Sequence, residues 1–181
     1  MRLRESGLAI RHLITSALLG ALALSGTASA QPAPRPARPP TAAPAAELVT
    51  AANLSRDGMR AIYDAAKLPA AIDASGNLTV KVGAVMLYVL ASEDRIHLLA
   101  TYSFAARATH PEKLDLANRI NDGYIVVRAA IPADKPGEIS IDHYILLGPG
   151  ASRGLIVAVT QRFAAIVHEA IDATDTERLL Q

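Results

Sequence analysis

Residues 78–104, LTVKVGAVMLYVLASEDRIHLLATYSF, carry the pattern that decides the fold. Apolar and polar residues alternate over 78–82, which is typical of a half-buried β-strand. Residues 84–91 are apolar on both faces and therefore predict a central strand. A polar tip at 92–94 precedes a second alternating stretch over 95–104. Because these connections are too short for crossovers, the three strands are predicted to form an antiparallel meander.

Helix signals flank this meander on both sides. Ser55 is a predicted N-cap for a first helix, and Thr109 with Glu112 forms a capping-box signature that opens a second, short helix closed by Gly123. Ser152 is the predicted N-cap of a long C-terminal helix. The predicted apolar stripe of that helix comprises Leu155, Ile156, Val159, Phe163, Ile166, Val167 and Ala170.

Two further strands are predicted between the second and third helices, over residues 124–131 and 138–147. Residues 132–137, rich in Pro, Asp and Gly, form the turn between them. The sequence therefore predicts an α+β domain with an antiparallel sheet of about five strands in α-β-β-β-α-β-β-α order.

The N-terminal segment 1–30 has the three parts of a signal peptide. Three arginines precede an apolar run over 13–24, and Ala28-Ser29-Ala30 forms a small-x-small cleavage site. Twelve helical residues span only about 18 Å, less than the hydrocarbon core of about 30 Å. We expect cleavage, export to the periplasm or beyond, and no membrane association of the mature chain. An uncleaved N-terminal anchor is the alternative.

Residues 31–46 (QPAPRPARPPTAAPAA) contain six prolines and predict a disordered, semi-stiff linker before a domain at 47–181. The P-x-x-P pattern at 36–39 leaves a docking role as an alternative.

The domain has 13 basic and 16 acidic residues, a net charge of −3, although the whole chain carries +1. Because no basic patch interleaved with aromatic residues occurs, nucleic acid is not an expected partner. Cysteine is absent, so packing alone must hold the domain together.

Three stretches of the chain carry a family resemblance. These are the first helix leading through 75–77 into the meander, the segment Leu116-Ala117-Asn118-Arg119-Ile120-Asn121 before a strand, and the second hairpin leading into the long helix. Over about residues 48–173 they resemble the YbjN family of bacterial sensory transduction regulators, and the Asn-x-x-Asn segment is the most specific of the three. The resemblance implies a fold similar to type III secretion chaperones, which often dimerise and bind segments of other proteins.

The chain departs from its relatives in two respects. Many relatives are cytoplasmic, whereas this chain carries an export signal, and its first hairpin is unusually apolar and rich in alanine. A role as a cytoplasmic regulator is therefore not carried over from the resemblance.

Asn118 and Asn121 are the first candidate binding residues. Three positions apart, they share a helix face, where their amides can bond a neighbouring loop or the backbone of a partner. The structural alternative is that Asn121 helps to terminate the helix while Asn118 ties the following strand to it.

The histidines do not predict a metal centre. His97, His110, His143 and His168 lack the close spacing that zinc sites use. His143 and Asp142 are adjacent on a strand and point to opposite faces, so they form a poor catalytic pair. No cofactor is expected.

GASRG at residues 150–154 matches the Gly-x-Ser-x-Gly pattern of a nucleophile elbow. A hydrolase of that type needs a large parallel sheet, with an acid and a histidine that follow the serine. Here the sheet is predicted to be antiparallel, and only His168 follows, on the same helix. We favour Ser152 as a helix cap, and a small serine hydrolase that uses Ser152 is the alternative.

Gly150, Ser152 and Arg153 also form a weak anion niche at the helix N-terminus.

The sequence therefore predicts an exported, non-catalytic domain that binds an unidentified protein or peptide, with dimerisation as a further expectation. An exposed apolar face on the hairpin at 84–104 would support this function, and polar residues on both outer faces would count against it. A small-ligand carrier, with a pocket between the sheet and the C-terminal helix, is a further alternative.

Overall fold

The computed structural model describes residues 48–181, so the predictions of a signal peptide at 1–30 and a linker at 31–46 lie outside the described residues. Within the described part, three helices occur: α1 spans Arg56–Ala65, α2 spans His110–Gly123 and α3 spans Arg153–Thr174. All three correspond to the predicted helices, and α2 begins after the predicted Thr109 cap and ends at the predicted Gly123.

A single antiparallel sheet of six strands accounts for the rest of the described secondary structure, in the spatial order β1-β2-β3-β4-β6-β5. The strands are β1 Ala70–Ile72, β2 Leu78–Val82, β3 Val85–Ser92, β4 Arg95–Ser103, β5 Arg128–Ala130 and β6 Glu138–Leu146. The α+β class is confirmed. The sheet has one strand more than predicted, the short edge strand β1. The sequence did not reveal β1 because three residues are too few to give a periodic signal.

All three helices cover one face of the sheet. The fully buried strand residues, among them Leu87, Leu98 and Ile141, occupy alternate positions and so point to a single face. Phe163 and Val167 of α3 pack onto that face as part of one hydrophobic core. The opposite face, which we call the outer face, has no helix over it among the described residues.

The predicted helix caps are confirmed. The Ser55 hydroxyl accepts a hydrogen bond from Gly58 N at 3.1 Å, and the Ser152 hydroxyl accepts one from Leu155 N at 3.1 Å. At α2, Thr109 N and the Thr109 hydroxyl both donate to Glu112 Oε2 at 2.7 Å, which is the carboxylate half of the predicted capping box. The serine caps satisfy N–H groups that have no partner within the helix.

The apolar stripe of α3 differs from the prediction at its start. Leu155 lies in the first turn and is half exposed, whereas Thr160, which the stripe omitted, is fully buried. Thr160 is satisfied there because its hydroxyl lies 2.8 Å from Ile156 O and 2.9 Å from the Tyr63 hydroxyl. Burial raises the pKa of Tyr63 to about 12.

α3 is also long and apolar enough to cross a membrane by length and composition. The same criteria are met by the core helix of a soluble domain. Seven of its residues are buried in the domain core, including Ile156, Phe163 and Val167. This burial accounts for its apolar character.

Candidate interaction surface

The outer face of the sheet presents apolar side chains. Met86 is 50% exposed and Leu146 is 70% exposed. Half-buried residues of β3 and β4 continue the surface from Met86: Tyr88, Leu90 and Leu99. Leu146 lies apart from them, because it pairs with Arg95 at the opposite end of the face. The hairpin at 84–104 therefore has an apolar patch on its outer face, as expected of a binding surface.

A buried carboxylate lies within this surface. Asp142 is only 4% exposed although it points to the outer face, and it accepts two hydrogen bonds from Arg128, at 3.2 Å from Nε and 2.6 Å from Nη2. His97 Nε2 lies 3.4 Å from its second oxygen. A buried charge is tolerated only when it is paired, and the two-pronged guanidinium contact provides that pairing. Hydrogen bonding to Asp142 raises the pKa of Arg128.

Tyr144 covers this ionic cluster from the solvent side. Its ring stacks on the His97 ring with centroids 4.5 Å apart, and the Arg95 guanidinium lies 5.9 Å from the ring centroid. Residues 95, 97 and 144 come from two paired strands, so the arrangement depends on the β4–β6 register. The outer face therefore has one apolar half and one half in which aromatic rings, guanidinium groups and a buried carboxylate are combined.

The strand predicted over 124–131 is wrong in length. Only Arg128–Ala130 pairs with β6, and Val127 N donates to Tyr124 O across a turn at 3.4 Å. The side chains that gave the strand signal, Ile125 and Val126, are 95% and 51% exposed. Residues 125–127 do not pair with β6, and a gap of about 270 Å³ lies between residues 125–128 and 142–144.

Asn121 fixes the point at which β5 begins. Its amide nitrogen donates to Ala129 O at 3.0 Å, and its amide oxygen accepts from Ala129 N at 2.7 Å. Because Asn121 occupies both backbone groups of Ala129, these groups point away from β6, and the ladder bonds to β6 come from Arg128 and Ala130. Asn121 therefore closes the outer edge of β5.

Asn118 does not share this role. It is exposed, and its side chain makes no hydrogen bond to any residue in the described range 48–181. The tie between helix and strand that the structural alternative assigned to Asn118 is made by Asn121 instead. A binding role for either residue stays a prediction.

A second apolar opening lies beside the gap, between α3 and the start of β5. It is a groove of about 320 Å³ whose walls come from Val126, His143 and α3. His143 Nδ1 lies 2.8 Å from Val126 O, which holds the turn against the sheet. Arg162, at the rim of the groove, is exposed and has no ion-pair partner within residues 48–181. The small-ligand hypothesis placed a pocket between the sheet and α3, and this groove lies at the margin of that interface.

The GASRG segment has a structural explanation at two of its positions. The Ser152 hydroxyl caps α3, and within residues 48–181 no histidine or carboxylate hydrogen-bonds to it. Gly150 has φ +125°, and a Cβ there would lie 2.9 Å from Leu48 Cβ. Arg153 lines a separate cavity of about 150 Å³ beside α1. The predicted anion niche is therefore a capped helix start, and its capacity to bind an anion stays a prediction.

The histidines remain apart in the structure. Within the described range, no group of three or more His, Cys, Asp or Glu side chains converges in a way that could hold a metal ion. His168 lies 3.5 Å from Asp172, one turn away on α3, and both are exposed. Asp142 contacts His97 rather than its neighbour His143, as expected from the alternation along a strand.

The residues that the sequence did not single out for a site are Arg128 and Tyr144, and Asp142 was considered only as a partner of His143. Asp142 gave no signal of its burial, because it follows Glu138 and Ser140 at the polar positions of an alternating strand. Its partners come from β4 and β5, and only the strand register brings them together.

The fold and this surface define an α+β protein with three helices on one face of an antiparallel sheet and an open, partly apolar opposite face. The family model of YbjN, "Putative bacterial sensory transduction regulator", matches residues 55–175. The chain therefore belongs to the YbjN family.

Solved structures are also similar to this chain. The crystal structure of YbjN, a putative transcription regulator from E. coli, is similar with a TM-score of 0.61 and 15% identity, covering 75% of this chain and 99% of that one. An uncharacterized protein from Methanothermobacter thermautotrophicus has a TM-score of 0.47 and 12% identity over 70% of this chain and 99% of its own. At these identities the similarity to YbjN shows the fold alone. No curated protein matches the chain.

Proposed function

We propose that this YbjN-family protein is an exported, non-catalytic module that binds segments of other proteins on its outer face. The supporting observation is the uncovered outer face itself, where Met86 is half exposed beside the half-buried Tyr88 and Leu90. Apolar side chains exposed together mark interaction sites far more often than isolated apolar residues do. The family's description as a regulator is compatible with such a module.

The outer face includes a depression of about 350 Å³, where Tyr88, Leu90 and Leu99 lie beside polar and charged side chains. Sites for small ligands enclose most of the ligand surface and are mainly apolar, whereas this depression is open and largely polar, so the surface favours protein over small molecules. Its composition also combines aromatic rings with arginine, the residue types enriched where proteins bind one another.

Selection from a displayed library of random peptides tests this proposal. The full chain is used as bait, and enriched peptides are assayed against two variants. Met86→Asp places a charge on the outer face, whereas Leu114→Asp places one at an exposed apolar position of α2, where Leu114 is 44% exposed.

We expect enriched peptides whose affinity is on the order of tenfold or more weaker for Met86→Asp than for the unaltered chain. Their affinity for Leu114→Asp should be unchanged. Failure to enrich any peptide, or equal losses in the two variants, would overturn the proposal.

A further inference from the structure

The feature that carries a further inference is the difference in length between β6 and its neighbour β5. β6 runs Glu138–Leu146, but its pairing with β5 ends at Asp142. Beyond that point β6 is paired on the β4 side only. Its last residues, from 143 to 146, therefore form an open edge beside the segment 140–142, which β5 covers.

The backbone groups of two residues point into this opening. Leu147 N donates to Asp94 O at 2.8 Å, which places the odd-numbered residues of β6 in the hydrogen-bonded pairs with β4. Because antiparallel strands alternate, Tyr144 and Leu146 direct their N–H and C=O groups to the other side. No residue within 48–181 makes a hydrogen bond to them there.

The opening adjoins an edge that is blocked. Asn121 closes the adjacent edge of β5 through its two bonds to Ala129, so a new strand cannot pair there. At the end of β6, by contrast, the chain turns away and leaves the gap of about 270 Å³. Proteins usually block exposed strand edges against pairing with other chains. Here the edge of β5 is blocked and the adjacent end of β6 is open, which indicates a binding position at β6.

We propose that an extended acidic segment of another protein adds as a strand to β6 at Tyr144–Leu146. This inference rests on the proposed function and specifies where and how the partner binds. Backbone hydrogen bonds to Tyr144 and Leu146 supply the pairing, as in other cases of strand addition. Alternate side chains of the added strand point to the outer face beside Leu146 and to the apolar groove lined by Val126 and Phe163.

The acidic character of the partner follows from the charges around the opening. Arg128 is 64% exposed even though it binds Asp142, and Arg162 lies exposed at the groove without an ion-pair partner in the described chain. Arg95 is also close, but the exposed Asp94 at 3.3 Å offsets its charge, so Arg128 and Arg162 carry the positive character of the opening. Asp142 is buried and engaged, so it presents little negative charge to an incoming strand.

Charge also decides against two other occupants. A second copy of the chain would bring the arginines of both edges together, which is unfavourable. The segment 31–46 carries two arginines and no acidic residue. An acidic segment from a different protein is the occupant that these charges favour.

Two variants at one position test the backbone pairing. Leu146→Pro removes the N–H that faces the opening. It removes none of the bonds to β4, because the Leu146 N–H points away from that strand, and proline is tolerated at such edge positions. Leu146→Ala removes the same exposed side chain and keeps the N–H. Thermal unfolding of both full-length variants checks that they fold equally well.

The probe is a short acetylated peptide of alternating valine and threonine, with a central tryptophan and a glutamate at each end. Because the chain contains no tryptophan, the fluorescence of the peptide reports binding alone. We expect affinity on the order of tenfold weaker for Leu146→Pro than for Leu146→Ala, and on the order of tenfold weaker for a peptide with lysine in place of glutamate. Arg162→Glu is expected to reduce this preference for glutamate.

Equal affinity of the proline and alanine variants, or equal binding of the two peptides, would overturn the inference. Library peptides that depend on Met86 but not on Leu146→Pro would leave peptide binding intact and contradict only the edge position. A dimer of the unliganded chain in sedimentation that Leu146→Pro dissociates would instead assign the edge to a second copy, and would also overturn the inference.

Discussion

The side chain of Asn121 is joined to the backbone of Ala129 by two hydrogen bonds, one donated at 3.0 Å and one accepted at 2.7 Å. The amide thereby acts like the backbone of an adjacent strand. It ties the last turn of α2 to β5. In that three-residue strand, it satisfies the N–H and C=O groups that point away from β6, which are those of Ala129.

Asn121→Ala is expected to destabilise the domain by about 1–3 kcal/mol, because it leaves a partly buried N–H and C=O without partners. Asn118→Ala, a matched change three residues away at an exposed position, should alter stability by less than about 0.5 kcal/mol. Urea unfolding of the two variants measures both values. A larger loss for Asn118→Ala than for Asn121→Ala would contradict the assignment.

Stability is expected to fall at high pH because of Tyr63. Its pKa is about 12 in the folded state and about 10 when unfolded, so between these values the unfolded chain has lost a proton that the folded chain retains. The free energy of unfolding therefore decreases as pH rises from 10 to 12, by at most about 1.4 kcal/mol per pH unit from this group.

Tyr63→Phe should reduce that slope, and burial, which also raises the pKa of Tyr102, leaves a remainder. Thr160 donates to Ile156 O, so the Tyr63 hydroxyl is the donor in its bond to Thr160, and its loss leaves Thr160 with one partner. The expected cost at neutral pH is about 1 kcal/mol. Chemical unfolding at pH 8 and at pH 11 gives the comparison, and an unchanged slope in Tyr63→Phe would show that another group is responsible.

Two glycines of the GASRG segment are expected to differ in their tolerance of alanine. At Gly150 the backbone has φ +125° and a Cβ would meet Leu48 at 2.9 Å, so Gly150→Ala should cost about 1–3 kcal/mol. Gly154 lies in the first turn of α3 with nothing within 4 Å of an added Cβ. Gly154→Ala should be neutral or slightly stabilising, by up to about 1 kcal/mol. Melting temperatures of the two variants decide the matter, and equal effects would argue against this geometry.

Ser152 is expected to behave as a helix cap rather than as a nucleophile. Ser152→Ala should destabilise by about 1 kcal/mol, whereas Ser152→Asp should preserve the cap and most of the stability. A fluorophosphonate probe should label neither variant nor the unaltered chain. Labelling of the unaltered chain that disappears in both variants would instead support the hydrolase alternative.

Export is tested by the mass of the protein recovered from its native compartment. We expect a chain that begins at Gln31, after cleavage behind Ala30, in the periplasmic or external fraction. Ala28→Arg should block processing because the cleavage site requires small residues, and Ser29→Arg is the matched control. Intact chain in the membrane fraction would support the uncleaved anchor.

The meander was predictable because its evidence is local. Alternation over 78–82 and 95–104 places Leu98 and its neighbours on the buried face without reference to any other segment. The caps at Ser55 and Ser152 were predictable for the same reason, since each depends on a few adjacent residues.

The remaining features depend on contacts between distant segments. The apolar run at 124–127 looked like a strand, but the bonds from Asn121 start the ladder at Arg128 and the residues before it turn outwards. The cluster around Asp142 needs residues from three strands in register. Neither arrangement has a periodic signature in the chain.

β5 has only three residues, yet it is held in three ways: by its ladder to β6, by the amide of Asn121, and by the bonds from Arg128 to Asp142. A strand of this length would normally fray on fast timescales, and these restraints oppose such local opening. The gap beside β6 is thus expected to be a standing feature of the resting molecule instead of a rare fluctuation. A partner would then meet a preformed docking position and spend little of its binding free energy on reorganising the sheet.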